Sequence, residues 1–364
     1  VPEKSFPAPP ARLIAAVDKV RAGLQRLHRS TVPGNIAMLE LATGAWTTAA
    51  LYTAAKLGIP DQLASGPAHA NDIAKRIGAH PESVYRLMRA LAGKGVLRQR
   101  RDGRFALTRM GDALRSDSKG TLRDMVLFIG HPLRWEDWGS LEHSVRTGQT
   151  ATEMLRGMHV WDFLAVNPGF AEVFNRAMTA VSGLTDEAAL SCYDFTGSKL
   201  IVDVGGGHGA LLSTILRSAP DASGVLFDQP SVVENAGPTL AAAGVVDRAT
   251  TAGGSFMESV PDGGDVYVMK NIIHDWCDDD AVRILRTIRT SIADGGKLLL
   301  MEMVLPERPS QFIGLMLDLE MLVTAGGKER TRAEYANLFA RSGFRLQRVV
   351  DTVTPLSIIE AVPV

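Results

Sequence analysis

Two cysteines, Cys192 and Cys277, are all that 364 residues hold. One possible pair and no cysteine–histidine ligand spacing exclude a disulfide framework, and no metal is expected. Charge of one sign is also missing, because 39 Lys+Arg stand against 40 Asp+Glu for a net charge of −1. That balance gives no global pull towards nucleic acid or a membrane surface. No stretch combines the length and apolarity of a membrane span, since Ile313–Val323 is interrupted by Asp318 and Glu320. Neither an internal repeat nor a low-complexity tract is present. Val1-Pro-Glu-Lys-Ser-Phe-Pro-Ala-Pro-Pro10 lacks a signal-peptide pattern and reads as a flexible lead-in, so a cytoplasmic location is expected. What remains is a soluble globular chain, long enough for two domains and a large core.

Its most informative stretch is Leu200-Ile-Val-Asp-Val-Gly-Gly-Gly-His-Gly209. An apolar run ends in an acid, a glycine-rich turn follows, and Ala210–Ser218 reads as a helix. Strand, glycine turn and helix open a βαβ nucleotide-binding unit, in which glycines let a ligand approach the backbone. Ser223-Gly-Val-Leu-Phe-Asp228 is a second strand ending in a carboxylate. This places Asp228 beside the glycine loop, about 20 residues on, where ribose hydroxyls are held. The competing reading of Asp228 is a cap for the helix near Ser231. NAD and S-adenosylmethionine satisfy this much equally.

The fourth strand, Asp265-Val-Tyr-Val-Met-Lys270, runs into Asn271-Ile-Ile-His274-Asp275-Trp276. His274 therefore lies just past a strand's carboxyl end, on the ligand-binding edge. The fifth strand, Lys297-Leu-Leu-Leu-Met-Glu302, brings Glu302 to the same edge. Glu329, in Gly326-Gly-Lys-Glu-Arg-Thr331, precedes a helix that Thr331-Arg-Ala-Glu334 opens as a capping box. A lone histidine is more often structural than catalytic, and Glu329 alone reads as a helix-start salt bridge. An imidazole flanked by carboxylates is a better base. The chain ends in two adjacent strands, Phe344–Val353 and Leu356–Val362, with only Thr354-Pro355 between them. So short a connection demands an antiparallel hairpin. Such a finish differs from a dinucleotide fold.

The N-terminal third is helical. Leu13, Val17, Val20, Leu24 and Leu27 give Ala11–Arg29 an apolar face. Met38–Leu57 is expected as one helix, apolar on most sides and rich in small residues, that must be buried within or between subunits. Between Asn71 and Arg109 the pattern is helix, turn, helix and hairpin, which is a winged helix. Its many basic residues keep a DNA-binding reading open. Leu122–Ser182 is mostly helical and aromatic-rich. Phe170, Phe174 and Met178 share one helix face, for which core packing is the commoner explanation.

The motifs Asp203-Val-Gly-Gly-Gly-His-Gly209, Phe227-Asp-Gln-Pro230, Lys270-Asn-Ile-Ile-His-Asp-Trp276, Glu302 with Pro306, and Gly326-Gly-Lys-Glu-Arg-Thr331 together resemble one family. It is the S-adenosylmethionine-dependent O-methyltransferases of the caffeic acid/hydroxyindole type, whose bacterial members often act on aromatic natural products. The resemblance spans nearly the whole chain. It implies an α/β fold, a Rossmann-like methyltransferase sheet with an antiparallel last strand. To this it adds an N-terminal, mainly helical winged-helix dimerisation domain. The expected divisions are 1–120 for dimerisation, 121–185 for a helical linker lining the acceptor pocket, and 186–364 for cofactor binding and catalysis. An intertwined homodimer, a small aromatic substrate and no nucleic acid or membrane partner follow from it.

The same resemblance implies site residues. The cofactor S-adenosylmethionine would be met by Asp203, Gly205, Gly206, Gly207, Asp228, Gly254, Ser255, Phe256 and Lys270. Ser255 stands where the family often has an acid near the adenine amino group, and Phe256 at a position that packs on adenine. Phe170, Phe174, Asn175, Met178 and Met321 would contact the acceptor. His274 would remove the acceptor's proton, with Glu302 and Glu329 holding the ring and Asp275 a lesser support. A phenol with a pKa of about 10 can yield its proton to a neutral imidazole as the new bond forms. Alternatives from other classes are a family member doing hydroxylation or decarboxylation, a winged-helix regulator, and an NAD dehydrogenase.

Overall fold

The structure, a computed structural model, describes residues 11–308 and 312–364. The lead-in read over Val1–Pro10 lies outside them. The chain divides into two compact units. One holds Ser140–Val160 and Thr185–Val364 together with residues 11–20, and the other holds Arg21–Gly139 and Trp161–Leu184.

The first unit is built on a seven-stranded sheet. Its strands are β1 (Leu200–Val204), β2 (Ser223–Asp228), β3 (Ala249–Gly253), β4 (Val266–Lys270), β5 (Lys297–Glu302), β6 (Phe344–Asp351) and β7 (Ser357–Pro363). The order across the sheet is β6-β7-β5-β4-β1-β2-β3. The pairs from β5 to β3 are parallel, whereas β7 runs antiparallel to both β5 and β6. The reversed hairpin expected at the end of the chain is present, with β7 inserted between β5 and β6.

Alternate residues of the central strands enter two different cores. Ile201, Val266, Val268, Leu299 and Met301 pack with Leu212, Ile215 and Leu216 of the helix after β1. Val202, Val204, Tyr267, Met269, Leu298 and Leu300 pack on the other face with Ile284, Leu285, Ile288, Tyr335, Leu338 and Phe339. Burial on both faces is why these strands are nearly continuous apolar runs. Because the strands are parallel, Val204, Asp228, Lys270 and Glu302 all end on one edge.

In the second unit, the helix expected over Met38–Leu57 is two helices, Gly34–Ala42 and Gly44–Lys56, divided at Thr43. Gly44 has a low helix propensity, and the break falls beside it. Nothing in the first of these helices is buried. Met38, Leu39, Leu41 and Trp46 are 54–74% exposed, a row of large apolar groups open to solvent. Helices Ala70–Ile77 and Pro81–Gly93 are joined through Gly78, at φ +64°. An antiparallel pair, Leu97–Gln99 with Phe105–Leu107, follows them. Ile73, Val84, Met88, Leu91 and Phe105 form the core beneath.

Further along, Phe170 is buried against Phe128 and His131, with ring centroids 6.0 and 4.9 Å away, and Phe174 stands edge-on to Phe128 and Trp161. Among the described residues, no helix is long and apolar enough to cross a membrane.

Candidate active site

The glycine loop leaves β1 at the carboxyl edge. Gly205 and Gly207 have φ of +72° and +59°, the left-handed region that glycine adopts freely. A Cβ on Gly205 would lie 2.6 Å from Ile272, and one on Gly206 would lie 2.5 Å from the Asp203 carboxylate. Gly207 faces open space. Asp228 closes the loop from β2, because its Oδ2 accepts from Gly207 N at 2.8 Å and its Oδ1 from Gln229 N at 2.7 Å. Each oxygen keeps a second lone pair, so the carboxylate can still take ribose hydroxyls. The competing helix-cap reading gains no support, since the residue at the N-cap is Gln229 and no side chain caps that helix.

Asp203 lies under the loop, 1% exposed; among the described residues its carboxylate oxygens form no hydrogen bond of good geometry, and only the Leu212 backbone N–H interacts with them. Burial, with help from the Asp186 charge, pushes its carboxyl up to about 7. Lys270, at the end of β4, is paired with Asp186. Gly254 and Ser255 follow β3, and the Phe256 ring stands edge-on to Trp276 at 5.9 Å. The open glycine cradle, the acid at the end of β2 and the buried acid beneath it fit a nucleoside ligand that carries a positive charge.

His274 sits in a short 3₁₀ turn, Ile273–Asp275, entered through Asn271 at φ +51°. A non-glycine residue in that region is a strained backbone held by its surroundings. Glu302 supplies part of the hold, because its Oε1 accepts from Ile272 N at 3.1 Å and Ile273 N at 2.9 Å. Glu329 takes the ring itself, with Oε1 2.7 Å from His274 Nδ1. The two acids meet because Val304–Leu305 pairs in parallel with Arg330–Thr331, just beyond each of them. The expectation that both acids hold the ring is thus refined: Glu329 bonds the imidazole, while Glu302 bonds the turn and keeps Oε2 3.7 Å from Nδ1.

A carboxylate only accepts, so Nδ1 carries the hydrogen and Nε2 is left as the basic nitrogen. Asp275 Oδ1 lies 3.5 Å from Nε2. Behind the turn, His159 stacks on Trp276 and sets its Nε2 3.1 Å from the Ala325 carbonyl.

Burial pulls the His274 pKa down, but Glu302, Asp275 and Glu329 outweigh it and push it up to about 10. Burial raises Glu302 to about 7 and Asp275 to about 6, each against the pull of the imidazole. Ligand atoms of His274, Glu302 and Glu329 lie within 4.8 Å of one another, so a protonated His274 sits against two carboxyl groups. The cluster is built to receive and keep a proton. The three carboxyl groups make the imidazole a stronger base than a free histidine, which favours taking a phenol's proton.

The structure therefore brings His274, Asp275, Glu302 and Glu329 together, and sets Asp203, the three glycines and Asp228 at one loop. Met321 is buried on the Gly314–Thr324 helix. Phe170, Phe174, Asn175 and Met178 lie on the Pro168–Leu190 helix of the second unit, with Asn175 exposed. Sequence reasoning missed Asp318, which accepts from Glu329 N at 2.9 Å, as well as Asp186, Gly327 and Arg330. The last two belong to a motif already read, so its remaining letters were the signal.

Comparison with known proteins gives the same picture. An O-methyltransferase domain matches residues 138–345, more than half of the chain, and an O-methyltransferase dimerisation domain matches residues 39–117. The chain is 42% identical to a phenazine O-methyltransferase of Lysobacter antibioticus over 92% of this chain and 97% of that protein. The crystal structure of LaPhzM superposes with a TM-score of 0.86, at 42% identity over 92% of this chain and all of that one. An O-methyltransferase from neocarzinostatin biosynthesis, solved with S-adenosylmethionine and 2-hydroxy-5-methyl naphthoic acid, has a TM-score of 0.76 at 33% identity. It is matched over 87% of this chain and 96% of that one. The glycine cradle, the acid-flanked histidine and these matches lead to one conclusion: the chain belongs to the S-adenosylmethionine-dependent O-methyltransferase family.

Proposed function

We propose that this O-methyltransferase methylates a phenolic hydroxyl of a small aromatic molecule, with His274 as general base. The observation that carries the reading is the 2.7 Å contact from His274 Nδ1 to Glu329, which leaves Nε2 to take the acceptor's proton. Bound S-adenosylmethionine supplies a methyl group already activated by a sulfonium. The chain's part is to orient the hydroxyl, accept its proton at Nε2 and keep the resulting imidazolium between Glu329 and Glu302. A phenazine O-methyltransferase and a naphthoic acid complex among the relatives support an aromatic acceptor. Labelled methyl transfer across a panel of phenols and hydroxy-arenes, read by product mass, tests the reading. It fails if no oxygen-methylated arene forms.

On the cofactor side, Gly205, Gly206, Gly207 and Asp228 would hold the amino-acid and ribose portions. Gly254, Ser255 and Phe256 would meet the adenine, and Asp203 and Lys270 would support the loop from below. Asp228→Ala is expected to weaken S-adenosylmethionine binding without unfolding the protein, and NAD is expected not to bind. Calorimetry checks both, and unchanged affinity in the variant would leave Asp228 as a loop brace only. Phe170, Phe174, Asn175, Met178 and Met321 are proposed acceptor contacts.

A homodimer is proposed from the exposed apolar row on Gly34–Lys56 and the match to a dimerisation domain. Sedimentation at micromolar concentration should give twice the chain mass, and a monomer would refute it. The cytoplasm is the proposed location.

A further inference from the structure

Among the described residues, Arg330 is the largest fully buried side chain, with 0% exposure. Its guanidinium has five donors. Nη1 donates to the Ile273 carbonyl at 3.0 Å and to the Lys328 carbonyl at 3.2 Å. Nη2 donates to the Trp276 carbonyl at 2.8 Å. Nε and Nη2 both donate to Asp278 Oδ1, at 3.1 and 2.9 Å. Ile273 and Trp276 bracket His274 and Asp275, so a single planar group grips the turn on both sides of the base.

The residue before Arg330 is Glu329, which holds the ring. Ring and turn are thus fixed to one short segment, and Lys328 ties that segment again to Asp278 at 3.0 Å. Within the turn, the Ile273 carbonyl takes only the 3.3 Å bond from Trp276 N, since a 3₁₀ turn of three residues closes few of its own bonds. We infer that Arg330, braced by Asp278, is a positioning residue for the base. It sets the direction of His274 by holding the Ile273 and Trp276 carbonyls, and keeps Glu329 in register with Nδ1.

A lysine cannot replace it, because a single ammonium has no fork to span two carbonyls and a carboxylate at once. The inference rests on His274 being the base, so His274→Gln is measured in the same assays. Arg330→Ala and Arg330→Lys are expected to lower kcat by about 10²-fold, the effect of misplacing a reacting group by an ångström or so. KM for the acceptor and affinity for S-adenosylmethionine should change little. Loosening Glu329 from the ring removes a group that stabilises the cation, so the acidic limb of the rate profile should move to lower pH.

Guanidinium ion at sub-denaturing concentration should restore turnover to Arg330→Ala, whereas methylammonium should not. Asp278→Asn, a milder change at a 40% exposed side chain, should show the same signature at smaller size and covers the case in which the Arg330 variants do not fold. Folded variants with wild-type kcat and an unmoved pH profile would overturn the inference. So would a loss of kcat with an unmoved profile and no guanidinium rescue, which marks a scaffold role. If His274→Gln itself keeps wild-type turnover, the base assignment has failed. If His274→Gln loses turnover while the Arg330 and Asp278 variants keep it, the positioning role has failed.

Discussion

Replacing His274 with Ala or Gln is expected to lower kcat roughly 10²–10⁴-fold, the usual contribution of a positioned base. Cofactor affinity should barely change, because the loop that would hold the cofactor is Gly205–Gly207 with Asp228. The pH dependence carries the sign. His274 is held up to about 10, so the imidazole is protonated below that pH and free above it. Wild-type kcat/KM on an ordinary phenol should therefore climb through neutral pH towards about 10, and the variants should keep only the ionisation of the phenol itself. Glu329→Gln removes one of the charges that raise the imidazole, so its limb should shift to lower pH while its maximum falls. Its loss should not add to that of His274, since the two act as one unit. Steady-state rates from pH 6 upwards, about the range over which an imidazole and a phenol titrate, decide this. A His274 variant with wild-type turnover at neutral pH would mean that positioning alone carries the reaction.

Gly327→Ala should be nearly as damaging without touching a single ionisable group. A Cβ there would lie 2.0 Å from the His274 carbonyl oxygen, 2.4 Å from the Asp275 carbonyl carbon and 2.5 Å from Trp276 N. All three atoms are backbone, so no side chain can swing away and the turn itself must move. The expected cost in stability is about 1–3 kcal/mol, that of overpacking a tight site. The expected loss in kcat is on the order of 10²-fold, because the displaced atoms carry the base. Gly237→Ala, which adds a Cβ into open space, is the control. Thermal melting and kcat measured together separate the effects, and a folded Gly327→Ala of full activity would show that the turn tolerates displacement.

The parts of this molecule that could be read from its sequence are the ones written locally. Strand, glycine turn and helix at Leu200–Ser218 follow from adjacent residues, as does the capping box of Thr331 and Glu334, in which both reciprocal bonds form. The closing hairpin follows from a connection too short for any other path. His274 and its two acids were legible because Glu302 ends a strand, His274 lies just past one and Glu329 stands shortly before a helix, and parallel strands deliver such residues to one edge. What stayed hidden depends on separation along the chain. Arg330 meets carbonyls 54 and 57 positions away, and Gly327 is small because of a turn more than fifty residues upstream. Glu302 spends its bonds on two backbone amides, a role that no composition or spacing announces. Thr43 divides a helix whose apolar residues keep one continuous pattern across the break. Asp186, the partner of Lys270, lies 84 residues from it, near the end of the Pro168–Leu190 helix.

The central claim is that His274 takes the acceptor's proton, and a series of phenols of graded acidity tests it most directly. Methyl transfer from labelled S-adenosylmethionine is measured at one pH for the wild type and His274→Ala. The account predicts a deficit of roughly 10²–10⁴-fold on phenols of ordinary pKa. That deficit should shrink steadily as the phenol becomes more acidic, and nearly vanish for one that is ionised without help. A deficit of constant size across the series, or none at any acidity, would contradict it.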